Sequence, residues 1–122
     1  MFPLNDFDLG FIVGILEGEG SFSNPKEPIP SREVRITVNM SDLDVIKRIA
    51  KLLGVKKIGS YDPNKYRQYK SSAKIMYYIA LNGNKAIEIM KMIYPYMGKR
   101  RKIKIKELIK NRTKPADKVY GD

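Results

Sequence analysis

The chain has no cysteine, no histidine and no tryptophan. Without cysteine there is neither a disulfide nor a thiolate metal site. Without histidine the usual general base is missing, and with it the Ser-His-Asp and Cys-His nucleophile systems and His-ligated zinc. Any catalysis must therefore run on carboxylates, lysine, tyrosine or a metal ion held by oxygen ligands. No apolar run approaches the roughly 18 residues that a membrane span requires. The opening ten residues, MFPLNDFDLG, lack the basic start of a secretion signal. An intracellular protein with no targeting signal and no membrane partner is expected, in the cytoplasm or nucleoid of a prokaryote or encoded in an organelle.

What the chain does have is positive charge. Its 122 residues carry 24 Lys and Arg against 13 Asp and Glu, a formal net charge of +11. A polyanion is the natural partner, nucleic acid first. The charge is unevenly placed. Residues 1–30 hold one Lys and five acids (Asp6, Asp8, Glu17, Glu19, Glu27), whereas residues 99–122 hold ten bases and three acids. Acids clustered in a basic protein repel phosphate unless a cation stands between them. The length suits one domain, small enough for association with a second copy to help stabilise it.

Asp6 or Asp8 is placed to cap a first helix running to about Gly18. A short strand follows from Ser21 to about Asn24, then a turn segment with three prolines over residues 24–31. Glu33 to Met40 alternates strictly, with Val34, Ile36, Val38 and Met40 on one face and Glu33, Arg35, Thr37 and Asn39 on the other, the pattern of a strand buried on one side. Ser41 is placed to cap a helix that Gly54 ends. Lys56–Tyr61 and Ala73–Leu81 read as strands, Lys85–Tyr94 as a helix, and Arg100–Lys110 as a basic helix with Ile103, Ile105, Leu108 and Ile109 apolar. The order implies an α+β domain with an antiparallel sheet and helices on one face. Residues 1–112 form the expected domain, and 113–122 a flexible tail.

The first helix is unusual. Gly10, Gly14 and Gly18 recur at i, i+4 and i+8, each costing about 1 kcal/mol relative to Ala in a helix interior. Bare backbone along one stripe lets another helix approach closely, either within the same domain or on a second chain. If two copies of this helix pack about a two-fold axis, Glu17 and Glu19 of each come together at helix ends that are already partly negative. Such a group needs cations, and Mg²⁺ suits a site with few carboxylates and retained waters. Carboxylate-held metal in a basic protein describes phosphodiester hydrolysis.

Residues 12–20, IVGILEGEG, followed by Ser21 and Phe22, resemble the LAGLIDADG motif of homing endonucleases: apolar pair, Gly, apolar pair, acid, small residue, acid, Gly. The resemblance extends over about residues 5–110. It implies an αββαββα half-saddle whose antiparallel sheet faces DNA with helices behind, plus a basic C-terminal helix. One motif per chain resembles the homodimeric members, with Gly14 matching their helix-packing glycine, and the spacing makes Gly10, Gly14 and Gly18 the expected dimer interface. The resemblance implies that Glu19 is the catalytic metal ligand, with the Gly18 carbonyl assisting and Glu17 nearby. Mg²⁺ or Mn²⁺ would support cleavage, and Ca²⁺ is expected to bind without supporting it. Lys99 or Arg100 corresponds to the basic residue that polarises the scissile phosphate or its attacking water. Glu33, Arg35, Thr37 and Asn39 correspond to strand positions entering the major groove, as do Ser21, Ser23, Lys57 and Tyr61 by alternation. Arg101 and Lys102 would meet phosphates. Both acids are Glu where the motif's name has Asp, and Met40 stands where several members carry Gln.

On that reading the chain is a site-specific double-strand DNA endonuclease acting on a long pseudo-palindromic site. Arg35 would suit guanine, Asn39 adenine, Glu33 the cytosine amino group, and Thr37 any base. The alternatives are an RNA-splicing maturase or a non-catalytic DNA-binding regulator on the same scaffold. An RNA-binding structural protein fits the size and charge but leaves the glycine stripe and its two acids without a purpose.

Overall fold

In a computed structural model of the chain, residues 4–24, 33–64 and 74–121 are described, with side chains through Lys110. Among these residues the order is α1 (Asp6–Glu19), β1 (Gly20–Ser23), β2 (Arg35–Met40), α2 (Leu43–Leu53), β3 (Gly59–Tyr61), β4 (Met76–Asn82), α3 (Gly83–Ile93), a 3₁₀ turn (Tyr94–Tyr96) and α4 (Lys99–Gly121). The proline-rich segment expected to turn between β1 and β2 lies outside the described residues from Pro25 to Arg32, as does most of the polar stretch before β4.

All pairings in the sheet are antiparallel, in the order β1-β2-β4-β3. The alternation of β2 sets its two faces. Val34, Ile36 and Val38 are fully buried against the helices, as is Ile79 of β4. The helices contribute Ile12 and Leu16 from α1, Ile46, Ile49 and Leu53 from α2, Ile89, Met90 and Ile93 from α3, and Ile105 from α4, all with no exposed surface. At helical spacing these residues form one stripe per helix, so a single apolar layer joins all four helices to one side of the sheet. Arg35, Thr37 and Asn39 face the other way. Met40, on the inward parity, packs against the core.

Several local signals resolve differently from the sequence expectation. Asn5 caps α1, not Asp6 or Asp8: its extended backbone lets Oδ1 accept from the Asp8 N–H at 2.8 Å. Asp42 holds the cap position of α2, and no side-chain cap bond forms there, so Ser41 lies one residue outside. Gly54 does end α2, in the left-handed region (φ 69°). There Val55 N–H reaches the Ala50 carbonyl at 2.8 Å and Gly54 N–H the Lys51 carbonyl at 3.3 Å, closing the orphan carbonyls of the last turn. The strand expected over Lys56–Tyr61 shrinks to Gly59–Tyr61, leaving Lys57 exposed in the preceding loop. Helix α3 starts two residues earlier than expected, because Gly83 takes a positive φ of 63° and donates its N–H to the Val34 carbonyl at 2.9 Å. Helix α4 extends beyond Lys110 to Gly121.

The junction that matters most is between α1 and β1. The helix runs through Gly18 to Glu19, and the strand begins at the next residue. Gly20 N–H still closes on the Leu16 carbonyl while its backbone is already extended (φ −74°, ψ 150°). A Cβ at Gly20 would lie 2.7 Å from the Leu16 carbonyl oxygen and 3.0 Å from the Leu16 Cα, so only glycine fits without backbone movement. The Gly20→Ala variant is expected to lose about 1–3 kcal/mol, the range for an over-packed core site, measured as a lowered midpoint in urea unfolding.

Candidate nucleic-acid interface and carboxylate site

Helix α1 presents its glycines outward. Gly10, Gly14 and Gly18 are all exposed, and a Cβ added at any of them would meet nothing within 4 Å. Among the described residues, packing within the domain therefore does not explain the stripe. Beside it lies a largely apolar groove bordered by Asp6, Leu9, Gly10, Val13 and Tyr96, and Phe7 is 76% exposed. Arg48 of α2 covers the opposite flank, with its guanidinium carbon 3.8 Å from the Phe11 ring centroid and an amino nitrogen 3.9 Å from the Asp8 carboxylate. One helix thus carries a bare backbone track between apolar shoulders.

The two acids at the end of this track do different things. Glu19, the last helical residue, is exposed and makes no hydrogen bond or ion pair among the described residues. Glu17 is turned back into its own chain. Its Oε1 accepts from the Gly98 N–H at 2.6 Å, just ahead of α4. Arg101 lies against it: Nη2 donates to the Glu17 carbonyl at 3.1 Å, and Nε stands 3.8 Å from Oε2. That last distance is beyond hydrogen-bond range, so the Nε contribution is charge attraction only. The Arg101 side chain is 13% exposed and its guanidinium lies over Phe22, 5.2 Å from the ring centroid. Glu17 is therefore a brace between the end of α1 and the start of α4. In the single chain one of its carboxylate oxygens accepts from a backbone N–H and the other faces a guanidinium.

The basic residues of α4 divide in the same way. Arg101 is held against Glu17 and Phe22, and the Lys102 ammonium lies 5.6 Å from the Tyr94 ring centroid. Lys99 and Arg100 are exposed in the first turn. Arg100 and Arg101 line a cleft of about 500 Å³ together with Gly20, Ser21, Phe22, Lys104 and Glu107. Of the two candidates for the phosphate-polarising cation, Arg100 is the one that shares a cleft with the residues following Glu19.

The outward face of the sheet carries most of the polar residues read from alternation. Strand register gives the rows Ser23–Arg35–Asn82, Ser21–Thr37–Ala80 and Asn39–Tyr78–Gly59, with Met76 and Tyr61 beyond. Glu33 stands before the strand, alongside Gly83 at the rim. Two residues of this face escaped the sequence reading. Tyr78 lies across Gly59, where a Cβ would collide with its ring, and it meets Tyr61 with centroids 6.3 Å apart. Asn82 accepts from Arg35 Nε at 2.7 Å. The alternation that marked β2 is invisible in β4, where the sequence MYYIALN is apolar on both parities until its last residue.

The chain matches no protein-family profile, and no curated protein matches it. Solved structures do resemble it. The archaeal intron-encoded homing endonuclease I-Vdi141I complexed with DNA superposes with a TM-score of 0.60 at 18% identity, over 95% of this chain and 71% of that one. The homing endonuclease I-CvuI in complex with its target in the presence of calcium gives 0.53 at 14% identity, over 85% of this chain and 67% of that one. These neighbours are LAGLIDADG homing endonucleases, and the fold of this chain is their half-saddle.

Removing the Glu17 carboxylate leaves the Gly98 N–H and a largely buried guanidinium short of their partner. Glu17→Ala is expected to cost about 1–2 kcal/mol, read in thermal unfolding. Gly14→Leu, by contrast, fills only open space in the single chain and is expected to leave its unfolding midpoint unchanged or raised. The same variant should weaken self-association in sedimentation if a second chain uses the track.

Proposed function

We propose that this protein is a divalent-metal-dependent, site-specific double-strand DNA endonuclease that works as a homodimer. The observation that carries the reading is the α1–β1 junction. An outward glycine track ends in Glu19, whose carboxylate is exposed and has no partner among the described residues, and at the next residue the sheet begins. The solved neighbours of this fold are homing endonucleases bound to DNA, which supports the same partner here.

Two copies meeting along the track would bring both Glu19 side chains to the two-fold axis, each at the negative end of its helix. Two carboxylates and two Gly18 carbonyls would form an oxygen donor set that fits a hard divalent cation. Glu19 and the Gly18 carbonyl are the groups that would hold it. Mg²⁺ or Mn²⁺ bound there would supply Lewis-acid stabilisation of the phosphodiester and activate a water. The chain's own residues do the rest. The Gly20 junction keeps Glu19 at the head of β1, so the carboxylate stays registered with the strands that lie on DNA. The Glu17 brace holds the start of α4 beside that strand, which directs Arg100 toward the phosphate. Ser21, Ser23, Arg35, Thr37 and Asn39 face the major groove, where strands can read base edges. Two sites related by one axis cut each strand once, at a long pseudo-palindromic target.

The test is cleavage of plasmid carrying a site recovered by binding selection. The wild-type protein should linearise it only with Mg²⁺ or Mn²⁺. Glu19→Gln should bind as well but cut about a hundredfold more slowly or worse, the scale of losing one charge-stabilising group. Arg100→Ala should slow cutting more than Lys99→Ala does. Undiminished cutting by Glu19→Gln would remove the site assignment, and selective binding with no cutting by the wild type would make the protein a regulator.

A further inference from the structure

One polar contact on the outward sheet face lies outside the apolar core and joins two strands. Arg35 Nε donates to Asn82 Oδ1 at 2.7 Å, between side chains that face away from the apolar core. Both ends of this contact are anchored. Arg35 and Asn82 are direct cross-strand partners at the end of the β2–β4 ladder. Asn82 is followed by Gly83, whose positive φ turns the chain into α3 and whose N–H is held by the Val34 carbonyl at 2.9 Å. The asparagine thus stands on backbone fixed from both sides, and it fixes the arginine in turn.

A guanidinium has five N–H donors in a planar fork. With Nε committed to Asn82, the four that remain belong to the two terminal nitrogens, and one from each points out along the end of the fork. Two parallel donors presented end-on match two adjacent acceptors. In the major groove only guanine offers that pair, N7 and O6; adenine offers one acceptor and one donor there. A long side chain free to change rotamer would serve a phosphate equally well, whereas one locked at Nε has already lost that freedom. Resting on the DNA-endonuclease reading above, we infer that Asn82 is a positioning residue that sets specificity, holding Arg35 end-on so that each protomer reads one guanine in its half of the target.

The experiment is selection from a pool of random-sequence duplex DNA in Ca²⁺ buffer, followed by sequencing of the bound fraction. Wild type, Arg35→Ala, Asn82→Ala and Asn82→Asp are compared, with thermal unfolding to confirm that each is folded. Wild type should enrich guanine at one position and its two-fold mate by about tenfold or more. Arg35→Ala should abolish that preference alone. Asn82→Ala should reduce it to about threefold or less without changing other positions, and Asn82→Asp, which keeps an oxygen acceptor at the same place, should retain it. The inference is overturned if Asn82→Ala keeps the full preference, or if Arg35→Ala weakens binding uniformly across sequences, the mark of a phosphate contact. Should the wild type select no sequence at all, the endonuclease reading falls with it. Selective binding and Glu19-dependent cutting that are indifferent to Asn82 sink this inference alone.

Discussion

The structure turns on a missing side chain at residue 20. Because Gly20 has no Cβ, the polypeptide passes from helix to strand without a loop, its N–H still bonded to Leu16 as its backbone extends. A loop of even a few residues would let the helix end and the sheet move independently. The direct junction makes the distance from Glu19 to the outward face of β1 a property of the backbone. Everything proposed for this protein follows from that constraint, since a carboxylate that holds a cation is useful only if it stays registered with the strands that hold the substrate.

Charge is arranged around the same point. A chain of net charge +11 keeps Glu17 and Glu19 side by side on one helix end, yet it treats them oppositely. Glu17 is neutralised inside the chain by Arg101 and the Gly98 N–H, which ties the first turn of α4 to the motif helix. Among the described residues the Glu19 side chain has no partner, at a helix terminus that is itself partly negative. Leaving one of two adjacent acids bare is costly on its own and reasonable where a cation or a second chain completes the site. The cations of α4 are held differently by the same packing: Lys102 lies near the Tyr94 ring and Arg101 is braced against Glu17 and Phe22, while Arg100 is exposed, and both arginines line the cleft beside Ser21.

Legibility in the sequence followed the contrast between faces. In β2 every second residue is apolar and the others are polar, so inward and outward sets were readable directly, and Ser21, Arg35, Thr37 and Asn39 face the side they were expected to face. The glycine spacing in α1 was equally visible, although only the structure shows that the track meets open space. In β4 both faces are apolar by composition, so Tyr78 was indistinguishable from a core residue and Asn82 from a turn. Lys57 carries the correct parity, but the strand starts two residues later, at Gly59, because strand ends are set by pairing with a neighbour and not by local pattern. Arg101 and Lys102 illustrate a further limit: a basic run gives the charge of a helix, whereas the side of the helix on which each residue finds a carboxylate or a ring depends on tertiary packing.

Homodimeric cleavage requires that two copies of α1 meet along the glycine track and bring their Glu19 positions together. A chain with no native cysteine allows a direct measurement. A single cysteine at position 19 should be joined efficiently to its counterpart by a short bismaleimide, giving a covalent dimer on denaturing gels. A single cysteine at position 57, in the exposed loop before the outermost strand β3, should react with monofunctional maleimide but give no dimer. Equal cross-linking at both positions, or none at position 19 in a protein that is otherwise reactive there, would contradict the account.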